Sequence, residues 1–148
     1  MDRESEIETL DLHQAIVEQS PDAMIFADRD GEIRLWNHAA QALFGFAASE
    51  VLGKSLDVII PERLRGAHWA GFRKAIATGE AKYAGRVLTT RSAHKDGRRL
   101  YVDLSFALLR DERGAITGAL AIGRDCTERY VSDSALRKRL AELEQQTP

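Results

Sequence analysis

The sequence predicts an α+β fold: one five-stranded antiparallel sheet with its helices on one face, flanked by a helix at each end. Three observations lead there. The elements run helix, two strands, several short helices, one long helix, then three strands. The last three strands are joined by short turns, which makes them an antiparallel meander. At 148 residues and 16.5 kDa, with 44% hydrophobic and 30% charged residues, the chain fits a single domain with an ordinary core.

Residues 5–19 carry Ile7, Leu10, Ile16 and Val17 among acids and glutamines. This predicts a short amphipathic helix that ends near Ser20-Pro21. Residues 23–36 read as a hairpin: Met24-Ile25-Phe26, a turn at Asp28-Arg29-Asp30-Gly31, then Ile33-Arg34-Leu35-Trp36. Asn37 suits an N-cap for a helix over 39–44 that stops at Gly45. Short helical pieces over 47–60 are punctuated by Gly53 and closed by Pro61. The longest interior helix is predicted over 63–78, with Leu64, His68, Phe72, Ala75 and Ile76 on one face and Gly79 at its end. Strands follow over 86–92, 100–109 and 116–125, separated by turns at Lys95-Asp96-Gly97 and 111–114. In the middle one, Leu100, Val102, Leu104, Phe106 and Leu108 alternate with Tyr101, Asp103 and Ser105. In the last one the bulk falls on Ile116, Leu120 and Ile122. Thr127 is the expected cap of a final helix reaching about residue 145, with Leu136, Leu140 and Leu143 at coiled-coil-like spacing.

Composition excludes several classes. The single cysteine, Cys126, leaves no internal disulfide and no multi-cysteine zinc site. A net charge of −2 and a pI near 6.1 argue against a nucleic-acid partner. The apolar runs are too short to span a bilayer, and the start of the chain, with Asp2, Glu4, Glu6 and Glu8, is no signal peptide. The expected location is the cytoplasm. No glycine-rich phosphate loop occurs. An enzyme is not expected: Tyr83 and Asp103 are cavity candidates for a small isomerase, but spacing pairs neither with a second catalytic group.

One ordered set of fragments is specific. It runs Ser20-Pro21-Asp22-Ala23, Ala27-Asp28-Arg29-Asp30-Gly31-Glu32-Ile33, Trp36-Asn37-His38-Ala39-Ala40, Phe44-Gly45-Phe46, Glu50-Val51-Leu52-Gly53 and Arg124-Asp125-Cys126-Thr127-Glu128-Arg129. In order and spacing it resembles the PAS sensory-domain family over residues 17–130. The resemblance implies a sheet cradling a pocket for a small molecule or cofactor, with residues 1–16 as an N-terminal flanking helix and 131–148 as a C-terminal signalling helix. It further implies a homodimer through those helices and a downstream kinase, cyclase or transcription effector. The signal would leave the core at Asp125 and Thr127, as a ligand shifts the population between two sheet arrangements. Cys126 reads as a small buried hydrophobe rather than a nucleophile.

His68, in the stretch Pro61-Glu62-Arg63-Leu64-Arg65-Gly66-Ala67-His68-Trp69-Ala70-Gly71-Phe72, is the chemical candidate. This stretch is similar to the long helix of haem-binding PAS domains of the FixL type. There a histidine at this place is the proximal iron ligand, which makes His68 the expected metal ligand of a b-type haem. Phe72 lies one turn later on the same face. Ungapped counting from His68 puts Leu88 where that type has its distal arginine. It puts Arg86 where a related type has a displaceable methionine. Tyr83, Leu104, Phe106 and Ile122 complete the expected pocket wall, with Arg86 aimed into it from the parity of Leu88 and paired with an anionic ligand or with Glu80.

Three readings follow: a sensory module for a small ligand, a haem-based gas or redox sensor through His68, and a ligandless homodimerisation domain. His13, His38 and His94 have no partner at metal spacing and read as surface residues. Most of the run Arg63, Arg65, Arg73, Lys74, Lys82 and Arg86 reads as a solvated face, with haem propionates or an anionic metabolite as its other use. Trp36 and Trp69 read as packing aromatics. A flavin photosensor would need a cysteine in the helix of His68, which has none.

Overall fold

The computed structural model describes residues 2–82 and 85–146, and for residues 2–10 the helical backbone alone. The elements are α1 (Asp2–Gln19), β1 (Ala23–Asp28), β2 (Ile33–Trp36), α2 (His38–Phe44), α3 (Ala48–Val51), a 3₁₀ turn at Leu56–Ile59, α4 (Glu62–Thr78), β3 (Leu88–Ala93), β4 (Arg99–Arg110), β5 (Ile116–Asp125) and α5 (Thr127–Gln145). The five strands form one antiparallel sheet, as the sequence predicted, and the structure gives their order as β2-β1-β5-β4-β3, with β1 paired to β5.

The β1–β2 turn depends on Gly31, whose φ of +80° a side chain rarely adopts. A Cβ there would also run into the Trp69 ring. Asn37 caps α2 as expected: its Oδ1 accepts from the Ala40 N–H at 3.0 Å and from the Met24 N–H at 2.9 Å. Its Nδ2 donates to the Val17 carbonyl at 2.8 Å and the Asp22 carbonyl at 3.0 Å. One buried amide therefore joins α1, β1 and α2 with every polar atom satisfied.

The core lies on the inner face of the sheet. Ile25, Ile33, Trp36, Leu100 and Val102 meet Ala40 and Phe44 of α2, Val51 of α3 and Ile59 of the 3₁₀ turn. Trp36 also donates its indole N–H to the Phe46 carbonyl at 2.9 Å.

Four expectations differ from the structure. The first strand of the meander was expected over 86–92, but β3 begins at Leu88, because Gly85 at φ +74° turns the chain just before it. Arg86 therefore stands exposed outside the ladder instead of pointing at the apolar wall. Thr127 is not the cap of the last helix; Cys126 holds that place, and the Thr127 hydroxyl accepts the Tyr101 N–H at 2.9 Å. His94 is not a surface residue: it packs over Gly45, where a Cβ would come within 2.5 Å of its ring, and its Nδ1 lies 3.0 Å from Asp96.

The fourth concerns Ile122. Residues directly opposite in an antiparallel ladder share a face. Leu104 opposes Gly123 and Phe106 opposes Ala121, whereas Ile122 opposes Ser105 on β4 and Met24 on β1. Ile122 and Leu120 thus lie on the outer face with Met24 and Phe26. The bulky residues of β5 point outward, and the small ones, Ala119, Ala121 and Gly123, point inward.

Candidate functional site

Among the described residues none of α4 is fully buried, although the helix lies on the inner side of the sheet. Its apolar stripe of Leu64, His68, Phe72, Ala75 and Ile76 is half-buried throughout. The inner-face residues at that end of the sheet, Leu104, Phe106, Leu108, Ala119 and Ala121, are half-buried too. Elsewhere the inner face is closed by α2, α3 and the 3₁₀ turn. α4 comes near β5 here, where the inward side chains are small. A Cβ at Gly123 would collide with Leu104. Two apolar surfaces with incomplete cover thus face each other, and the seam between them is the candidate cleft.

α4 is fixed over this cleft at three places. Arg65 donates to the Ile60 carbonyl at 3.0 Å and the Asp57 carbonyl at 3.1 Å. The Trp69 indole N–H donates to Asp57 Oδ1 at 2.7 Å while its ring covers Gly31. At the C-terminal end the Gly79 carbonyl accepts from Arg110 at 2.9 Å. A cavity of about 450 Å³ opens at this end, lined by residues that include Glu80, Phe106, Leu108 and Arg110.

His68 sits in the middle of the stripe. Its ring meets Trp69 edge-on at 4.7 Å and lies 6.1 Å from Phe72. Its Nδ1 is buried and has no hydrogen-bond partner. Burial holds its pKa below the ordinary histidine range, against a smaller opposing pull from the Asp57 carboxylate. At neutral pH this is therefore an uncharged imidazole on an apolar wall.

The remaining expected site residues fall into three groups. Leu88 opposes Leu104 in the ladder, so Leu88, Leu104 and Phe106 share the inner face with the α4 stripe. Arg86 and Ile122 do not join them, for the reasons given above. Tyr83 lies outside the described residues. No helix among the described residues is long and apolar enough to cross a membrane.

The junction from β5 to α5 is built on the outer face. Thr127 and Cys126 both bond to the Tyr101 backbone, the latter at 2.8 Å. Asp125 Oδ1 accepts the Thr127 N–H at 2.8 Å. Tyr130 stacks on Tyr101 with ring centroids 3.8 Å apart. Asp103 accepts the Thr89 hydroxyl at 2.7 Å and Arg129 at 2.5 Å, and these two bonds hold its carboxyl below the usual range. The Cys126 thiol is pushed up, by burial first and then by the Asp103 carboxylate, so it stays protonated. The cluster Thr89–Asp103–Arg129 was not singled out from the sequence; only the register that places Thr89 opposite Asp103 reveals it.

Comparison with known proteins agrees with this architecture. The sensor protein FixL of Bradyrhizobium diazoefficiens is 27% identical over 148 residues, 97% of this chain and 29% of FixL. The oxygen sensor protein DosP of Escherichia coli is 29% identical over 111 residues, 75% of this chain and 14% of DosP. The chain thus spans well under a third of either relative. The crystal structure of a PAS domain from Colwellia psychrerythraea shares the fold, with a TM-score of 0.70 and 21% identity over 81% of this chain and 98% of that one. The family model described as the PAS fold matches residues 12–126, and with the sheet order and helix placement above it establishes that the chain belongs to the PAS family of sensory domains.

Proposed function

We propose that this PAS domain binds a small apolar molecule or cofactor in the cleft between α4 and the inner face of β4 and β5, and that it works as a homodimer. One observation supports this above the others: the apolar stripe of α4 and the wall facing it are both left half-buried, while the rest of the inner face is closed. Occupancy would reach α5 along β4 and β5, whose ends carry the Tyr101, Asp125 and Thr127 bonds. A ligand that draws α4 toward the sheet shifts the balance between two arrangements of that junction by its differential affinity for them. The effector would be a kinase, cyclase or transcription factor outside this sequence.

A second reading is favoured by His68, and in it the cofactor is b-type haem. The residues present fit the group on the side of α4. The imidazole is uncharged, as a metal ligand must be. Its buried Nδ1 has no hydrogen-bond partner among the described residues. Trp69, edge-on to the ring, and Phe72 pack beside it. The facing wall of Leu88, Leu104, Phe106 and Ala121 is apolar, and Arg86 is exposed outside the ladder. Haem would supply an iron with one open position for a diatomic gas. His68 would hold the iron, α4 would orient His68, and the wall would exclude water.

The test is to add ferric haem to the purified protein and follow the absorption spectrum. The expected result is uptake of about one haem per chain with a Soret band that His68→Ala abolishes or shifts. A protein that takes up no haem overturns the haem reading. Retention of an unaltered band by His68→Ala removes His68 as its ligand.

A further inference from the structure

At the C-terminal end of α4 the seam between helix and sheet meets the cavity of about 450 Å³, lined by Gly79, Glu80, Phe106, Leu108 and Arg110 among others. Phe72 and Gly79 are seven positions apart, about 10 Å at helical rise. Over that length Phe72, Ala75 and Ile76 of α4 are half-buried, and so are Phe106 and Leu108 of β4. The body of the seam is apolar there, and charge stands at its mouth, on Glu80 and Arg110.

Arg110 is set in place by the sheet. The β4–β5 ladder shifts register between Leu109 and Arg110, and an irregularity of this kind re-aims the side chain beside it. The guanidinium donates to the Gly79 carbonyl at 2.9 Å and to the Gly114 carbonyl at 3.0 Å. These two bonds tie it to the end of α4 and to the β4–β5 turn, so its fork is oriented before any ligand arrives. They use two of the five N–H donors of an arginine and leave three. Both acceptors are neutral, and among the described residues no carboxylate pairs with Arg110.

We infer that the ligand of this cleft carries a carboxylate, which Arg110 binds at the mouth while the apolar body lies along Phe72, Ile76, Phe106 and Leu108. A planar fork with spare N–H groups matches a carboxylate, and a hydrogen bond between two charged groups is stronger than one between neutral groups. The negative end of the α4 dipole also favours a cation beside Gly79. That accounts for the positive charge, and not for oriented donors left spare at the edge of a cavity. Glu80, on the same cavity, opposes an anion there. The inference rests on the cleft reading above and adds the class of ligand: an aliphatic or arylalkyl acid, or a macrocycle with carboxylate arms such as haem.

The experiment is calorimetric titration of the full chain at pH 8 with octanoate and with octanamide, its neutral isostere. Octanoate is expected to bind about fivefold or more tightly than octanamide. Arg110→Gln keeps a donor for one carbonyl and removes the charge, and it should abolish that preference. Glu80→Gln should tighten octanoate and leave octanamide unchanged. Ala121→Leu narrows the cleft from the inner face of β5 and should weaken both ligands alike. Haem and its dimethyl ester, compared by absorption in the wild type and in Arg110→Gln, separate the two sources of the carboxylate.

A preference for octanoate that Arg110→Gln abolishes identifies a free acid. A preference for haem over its ester, lost in the same variant, identifies a propionate. Either result supports the inference. A variant in which the charged and the neutral ligand weaken equally makes Arg110 a clamp on α4 alone and overturns it. No preference in either pair overturns it too, and leaves the cleft reading standing. Binding untouched by Ala121→Leu places the ligand elsewhere, and binding of none of the four ligands overturns the inference and the cleft reading together.

Discussion

Asn37 shows how much one side chain can organise. Its amide makes four bonds to backbone groups of three elements, and it is almost wholly buried. Asn37→Ala leaves two N–H groups and two carbonyls without partners and removes a helix cap. A loss of about 3 kcal/mol is expected in denaturant unfolding. Half of this role was legible in the sequence, because an N-cap is a local pattern. The bonds to Val17 and Asp22 were not, since they depend on where α1 comes to rest. His94 is the mirror case. Nothing in its neighbours marks it as packed, and it becomes so only because Gly45, 49 positions earlier, offers no Cβ. Gly31 yields a second prediction at this scale. Gly31→Ala brings a methyl group against the Trp69 ring at a positive φ, and should cost about 1–3 kcal/mol while lowering the order of α4 in hydrogen exchange.

The element scale shows where pattern reading stops. Alternation identified β5 as a strand, but alternation alone does not say which parity faces inward. The bulk of Ile122 suggested that it lined the pocket. The ladder shows it pointing outward beside Leu120, while the inward positions that face α4 are small. Arg86 was misplaced by the same kind of reasoning, carried past the end of a strand that Gly85 had already turned. The stripe of α4 itself was read correctly, because helical spacing fixes a face without help from neighbours.

Two predictions belong to these elements. The folded pKa of His68 lies below its unfolded value of about 6.5. The unfolded chain therefore takes up the proton first as the pH falls. The stability tied to the neutral ring is present above about pH 6.5 and is lost as the pH drops below it. His68→Gln should flatten the dependence of unfolding free energy on pH between about 7 and 5. An unchanged slope would show that the ring titrates as if free in solution. Thr127→Val removes the acceptor of the Tyr101 N–H. It should cost about 1–2 kcal/mol and raise amide exchange in the first turns of α5, with β1 and β2 unaffected.

At the scale of the whole molecule, the fold class, the hairpin and the meander were legible from short turns and an ordered set of fragments, whereas the pairing of β1 with β5 that sets the sheet order was not. The site was legible on the helix side and not on the sheet side. Dimerisation and effector choice depend on surfaces that a single chain does not pair. The haem reading rests on His68, the one polar side chain of the α4 stripe, and a titration of the protein with ferric haem, followed by absorption, tests that reading most directly. It predicts a Soret band that saturates near one haem per chain in the wild type and is lost or shifted in His68→Ala, with both proteins folded by circular dichroism. Absence of a band in the wild type, or an identical band in the two proteins, would contradict it.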